Sequence, residues 1–149
     1  MITTTHLIIL ADRASAHLLL VRDGKIIKKM DVEKDDVPQK VKHGENAWDA
    51  QDKIFRHIED HVKRHLEKVA HVAGEFVKNE KINGVLIGGH KTLFAKIEKE
   101  LKYPLSKKVL GSFVTELKAE QGEIVKRINN FLDKLENEKV QKKLEKALS

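Results

Sequence analysis

A chain of 149 residues, 40% hydrophobic and 35% charged, has the size and composition of one globular domain with a heavily charged surface. It contains no cysteine, which excludes disulfides and thiolate chemistry and suits a cytoplasmic protein, and no apolar run reaches the roughly 18 residues of a membrane-spanning helix. Lys and Arg number 29 against 23 Asp and Glu, a net charge of +6 that permits a polyanionic partner such as RNA without requiring one, while one Trp and one Tyr leave little for stacking on bases.

Met1 to His6 lacks the basic segment of a secretory signal and flows directly into structure. Leu7-Ile8-Ile9-Leu10 is a nearly continuous apolar run, the pattern of a buried strand. Asp12-Arg13-Ala14-Ser15 breaks it, and His17 to Val21 predicts a second strand. The Asp23-Gly24 turn then leads into a third strand, Ile26 to Val32, so the chain begins as an antiparallel meander. After the charged Glu33 to Asp36 comes a polar loop, Pro38 to Asn46, and then the longest helix. Its apolar positions Ile54, Ile58, Val62, Leu66, Val69, Ala73 and Phe76 recur at three-and-four spacing on one face.

Val85-Leu86-Ile87 predicts a short buried strand ended by Gly88-Gly89. His90 to Thr92 should open a second helix, with Leu93, Phe94, Ile97 and Leu101 on its apolar face and Tyr103-Pro104 as its stop. Lys107 to Val114 should form the last strand. From Ala119 a third helix carries Ile124, Ile128, Phe131, Leu132 and Leu135 in register. The pattern slips over Glu136-Asn137-Glu138-Lys139, which suggests a bend or a frayed, charged tail, and resumes at Val140, Leu144 and Leu148. The order predicts an α/β domain whose mixed sheet starts antiparallel and continues through helix-linked strands.

Few residues announce chemistry. His57, His61 and His65 stand at four-residue steps on the long helix, and His61 with His65 could grip a metal with another His or a carboxylate such as Asp60; a polar helix face shared with Lys63, Arg64 and Glu67 is the simpler expectation, and no metal is expected. Gly88-Gly89-His90 between a strand and a helix could approach a phosphate, but it lacks the Lys-Ser/Thr of a P-loop and the third glycine of a dinucleotide fingerprint. A tight turn that needs small residues, with His90 as a cap, is the simpler expectation. Asp12 and Asp31 at strand ends could approach each other, and no nucleophile elbow is present. No cofactor is expected.

Val37-Pro38-Gln39-Lys40-Val41-Lys42-His43-Gly44 followed by a long His- and Arg-containing helix resembles the middle domain of archaeal and eukaryotic peptide-chain release factors. Asn83 to Phe94 is similar to that domain's strand–glycine–helix segment, and Lys107 to Gly111 to the strand that follows. The resemblance covers residues 6–135 as weak motifs in the right order, nearest the bacterial release-factor-like branch that includes host-attachment-type proteins. It implies a three-layer, ribonuclease H-like α/β domain. In release factors the loop carries Gly-Gly-Gln, whose glutamine serves peptidyl-tRNA hydrolysis; here the corresponding positions are His43-Gly44-Glu45-Asn46-Ala47, and Gly-Gly-Gln occurs nowhere. The resemblance therefore implies the fold and argues against the hydrolase. Pelota-type rescue factors likewise lack the motif, which keeps a ribosome-related role in view.

The expectation is a release-factor-like domain over 1–135 with a charged helical tail over 136–149, either a stand-alone middle domain or part of a longer chain. It would bind the ribosome or structured RNA without catalysis, in translation termination, rescue or stress. Lys40, Lys42, Lys53 and Arg56 would contact phosphates, and His43 and Asn46 would add hydrogen bonds. The alternatives are a divergent hydrolase or nuclease using Glu45, His43, Asp12 or Asp31, and a protein-interaction module or homo-oligomer formed through Val140 to Leu148.

Overall fold

The computed structural model describes residues 4–32 and 47–148, with side chains described at 4–32 and 56–147. Three strands, β1 (Thr5–Ala11), β2 (Ala16–Arg22) and β3 (Lys25–Val32), form the antiparallel meander. β4 (Gly84–Gly89) pairs parallel with β1, and β5 (Val109–Val114) pairs parallel with β4, giving the order β3-β2-β1-β4-β5. β1 is central, so both its faces are covered and Leu7, Ile8, Ile9 and Leu10 are all buried. This is why its sequence is a continuous apolar run and not an alternation. β3 is an edge strand, and its mostly exposed, Lys-rich sequence discourages pairing with another chain.

Two tight turns set the meander's register. Asp12 Oδ1 accepts hydrogen bonds from the backbone N–H groups of Ala14 (2.9 Å) and Ser15 (2.6 Å), closing the β1–β2 turn. Asp23 and Gly24 both take positive φ, 52° and 78°, which matches the right-handed twist of the β2–β3 hairpin.

Helices cover both faces. α1 (Ala47–Phe76) and the short α2 (Phe94–Glu100) lie on one face, where Val62, Leu66, Val69, Ala73 and Phe76 pack with Leu7, Ile9, Leu18, Leu20 and Ile97. Ile58 is half-buried against the same cluster. α3 (Gln121–Leu148) covers the other face, with Ile124 and Ile128 buried against Ile8, Leu10, Leu19, Val21 and Leu86. Among the described residues no helix is long and apolar enough to cross a membrane.

Several boundaries differ from the sequence reading. Gly88 and Gly89 belong to β4 instead of ending it. A Cβ on Gly88 would strike Leu10 and Phe113, and Gly89 has φ +128° with its missing Cβ directed at the Ala11 carbonyl, so the glycines are set by strand packing. A 3₁₀ turn at Lys91–Leu93 precedes α2, and another at Leu105–Lys107 takes the first residue expected of β5, which begins at Val109. α3 begins at Gln121 and stays helical through the charged stretch at 136–139 as far as Leu148, with residues 136–147 exposed.

α1 is longer than the sheet it covers. Its middle meets the β1–β2 turn, where His65 Nε2 lies 3.2 Å from the Ser15 carbonyl oxygen. Its C-terminal end meets the opposite edge, where Lys28 Nζ sits 4.8 Å from the centre of the Phe76 ring. The stretch 47–57, roughly 16 Å of helix at 1.5 Å per residue, therefore runs on past the hairpin end of the sheet.

Candidate functional site

The hairpin end is also where β1, β4 and β5 present their carboxyl ends, the usual ligand-binding edge of an open α/β sheet. A cleft of 830 Å³ opens there, lined by Asp12, His90, Lys91, Thr115, Lys118 and Arg127 among others. Most of these polar groups hold the edge together. His90 Nδ1 lies 2.7 Å from Thr92 Oγ1 and accepts from Thr92 N–H at 3.4 Å, so the ring caps the 3₁₀ turn. Arg127 Nη1 donates to the Val114 carbonyl at 2.8 Å, and its Nη2 pairs with Glu123 at 3.2 Å. The buried Thr115 donates its backbone N–H to Gly89 O. Lys91, Lys118 and Arg127 are exposed cations of the cleft, and Arg127 is engaged by Val114 and Glu123.

The two strand-end acids do not form a pair. Asp31 Oδ1 lies 2.7 Å from Nδ1 of its cross-strand neighbour His17, and β2 separates it from β1, since Leu10 opposes His17 and His17 opposes Asp31. Asp12 is engaged by its own turn. Among the described residues no group of three or more His, Asp or Glu side chains is placed to hold a metal ion.

The helix histidines separate by environment. His65 is 1% exposed and turns inward, whereas His57 and His61 lie near the surface with Nε2 atoms 3.2 Å apart and ring planes at 82°. Val62 and Leu66 are buried on the same turns, so the helix face that carries His65 rolls into the core while the face of His57 and His61 does not. On the other side of the sheet, half-buried His6 of β1 has its pKa lowered, first by burial and then by the positive charge of Lys139 on α3.

Of the nucleic-acid-binding residues expected from the sequence, Lys40, Lys42, His43 and Asn46 lie outside the described residues, as does Glu45. Lys53 is on α1, with its side chain outside them, and Arg56 is exposed on the overhanging part of that helix. Both anchors of the intervening segment are described. Val32 ends β3 opposite Ala16 at the hairpin end of the sheet, and Ala47 opens the overhang of α1. A second cavity of 590 Å³ lies between the C-terminal half of α1 and the segment that carries Tyr103 and Lys108. Neither cavity was legible in the sequence, because each is lined from several separate elements.

A family model described as bacterial archaeo-eukaryotic release factor family 10 matches residues 3–131. No curated protein sequence matches significantly. Among solved structures the chain is similar to an archaeal translation termination factor, aRF1, with TM-score 0.55 and 16% identity over 92% of this chain and 41% of that one. It is also similar to a structure described only as an archaeal protein, with TM-score 0.50 and 16% identity over 91% of this chain and 39% of that one. At such identities the likeness is one of fold, and the chain spans about two-fifths of the length of those proteins.

Proposed function

The chain belongs to bacterial archaeo-eukaryotic release factor family 10, and on that footing we propose that it is a non-catalytic domain that binds the ribosome or structured RNA. The single observation that carries this reading is the overhang of α1. Val32 ends β3 at the hairpin end of the sheet, Ala47 opens the helix stretch that runs beyond it, and Lys40 and Lys42 stand between these two residues in the sequence. Arg56 is exposed on that projection, and Lys91 and Lys118 line the cleft at the same end. Arg56, Lys91 and Lys118 suit contacts to a phosphate backbone, which is contacted by charge and without sequence readout, although Asp12, Glu116 and Glu123 line the same cleft. The absence of Gly-Gly-Gln supports a binding role over peptidyl-tRNA hydrolysis. The nuclease alternative is weakened by the separate structural partners of Asp12 and Asp31.

The test is co-sedimentation of the purified chain with ribosomes across a salt series. Binding that weakens steeply with salt, and is lost when Lys40, Lys42 and Arg56 are all changed to Glu, is the expected result. No sedimentation at low salt, or binding indifferent to the triple change, would overturn the reading.

A second reading has one observation of its own. Val140 and Leu144 are 48% and 56% exposed on the C-terminal part of α3, a small apolar stripe suited to another chain. A concentration-dependent mass that disappears on deletion of residues 137–149 would favour it.

A further inference from the structure

The geometry points to a divalent-metal clamp on α1, with His57 and His61 holding a borderline cation such as Zn²⁺ between their Nε2 atoms where the helix leaves the sheet. The two residues are one helical turn apart, and their Nε2 atoms stand 3.2 Å from each other with the ring planes at 82°. Two imidazole nitrogens, each about 2.0–2.1 Å from one tetrahedral zinc, stand roughly 3.3 Å apart. The Nε2–Nε2 spacing matches that of a shared ion, and because the rings meet edge-on with centroids 4.4 Å apart, they must turn about their side-chain torsions to aim both lone pairs at it. In the metal-free chain the same atoms share one proton, a ring N–H of one donating to the bare nitrogen of the other. When zinc binds, the donating ring passes its hydrogen from Nε2 to Nδ1 by exchange with water, so that both rings carry their hydrogen on Nδ1 and both Nε2 atoms face the metal bare.

The surroundings allow an ion to enter. His57 is exposed and His61 half-exposed. Arg56, Lys63 and Arg64 stand against Glu59 and Asp60 on the same turns, so the local charge excess is a single positive charge. Since no third His, Asp or Glu among the described residues joins the pair, water completes the coordination shell. Position gives the clamp a consequence. Residues 57–61 lie where α1 passes from the half-buried Ile58 and buried Val62 to the stretch that runs on past the sheet. A metal bridging this turn would brace the projecting helix at its root. The inference does not depend on what the overhang binds.

Zinc chloride titrated into the full chain at pH 7.5 in a calorimeter tests it. The expected result is saturable binding of one Zn²⁺ per chain, weakened more than about tenfold in His57→Ala and equally in His61→Ala, because the second ligand binds intramolecularly. His71→Ala, which removes another exposed histidine of α1, should leave it unchanged. One Zn²⁺ per two chains with the same sensitivity would also support the clamp, the second copy's pair replacing the waters. Amide hydrogen exchange over 57–61 should slow on adding zinc to the parent chain and not to His57→Ala. No zinc uptake, uptake that survives either substitution, or uptake lost in His71→Ala would overturn the proposal.

Discussion

His65 Nε2 lies 3.2 Å from the carbonyl oxygen of Ser15, fifty residues away in sequence, and ties the middle of α1 to the β1–β2 turn. A carbonyl only accepts, so the ring must carry its hydrogen on Nε2 and donate. His65→Leu keeps most of the volume and strips the donor. It should cost about 1–2 kcal/mol of unfolding free energy, read as a lower urea midpoint with an unchanged slope. An unmoved midpoint would show that the contact contributes nothing.

Two glycines should respond in opposite directions to alanine. Gly89 has φ +128° and faces the Ala11 carbonyl, so Gly89→Ala should destabilise by about 2 kcal/mol or more. Gly74 is exposed within α1, and a Cβ added there would meet nothing within 4 Å, so Gly74→Ala should stabilise by about 0.5–1 kcal/mol. Thermal melts of the two variants beside the parent check both signs.

Asp12 is assigned to its turn and not to chemistry. Asp12→Ala should cost about 1 kcal/mol, since two backbone N–H groups lose their acceptor, while Asp12→Asn retains an oxygen there and should cost less. Turnover of labelled RNA that vanishes in Asp12→Asn would instead restore the nuclease alternative.

His6 makes stability depend on pH in a defined direction. Burial and Lys139 lower its folded-state pKa below the 6.5 of the unfolded chain. The unfolded state therefore takes up the proton first. The contribution of His6 is fully present above pH 6.5 and is lost as pH falls from there through the lowered folded value. Subtracting the urea midpoints of His6→Gln from those of the parent, between pH 7.5 and 5.5, isolates this one histidine from the rest. A difference that stays constant with pH would contradict the assignment.

The two ends of α3 should differ sharply in sensitivity. Ile128 is fully buried against the sheet, and Ile128→Ala should cost about 2–5 kcal/mol. Val140 and Leu144 are exposed, and changing both to Ser should alter monomer stability by no more than about 0.5 kcal/mol. A large loss from the double change would reveal a partner for the tail, in the same chain or another.

The elements of this fold are written locally. The unbroken apolar run of β1, the Asp23-Gly24 turn and the three-and-four stripe from Ile58 to Phe76 each depend on neighbours a few residues away, so they are legible in order along the chain. With the release-factor resemblance they determine a mixed α/β domain of the right class. What they leave open is how distant pieces meet. The roll of α1 that buries His65 and leaves His57 with His61 at the surface is decided by contact with the β1–β2 turn. The reason for Gly88 lies in Leu10 and Phe113 on the two neighbouring strands. The cleft takes Asp12, His90 and Arg127 from three elements far apart in sequence. Periodicity and turn chemistry act over one or two turns of chain, whereas these arrangements follow from strand order and from the sheet face each helix covers, which only tertiary packing sets.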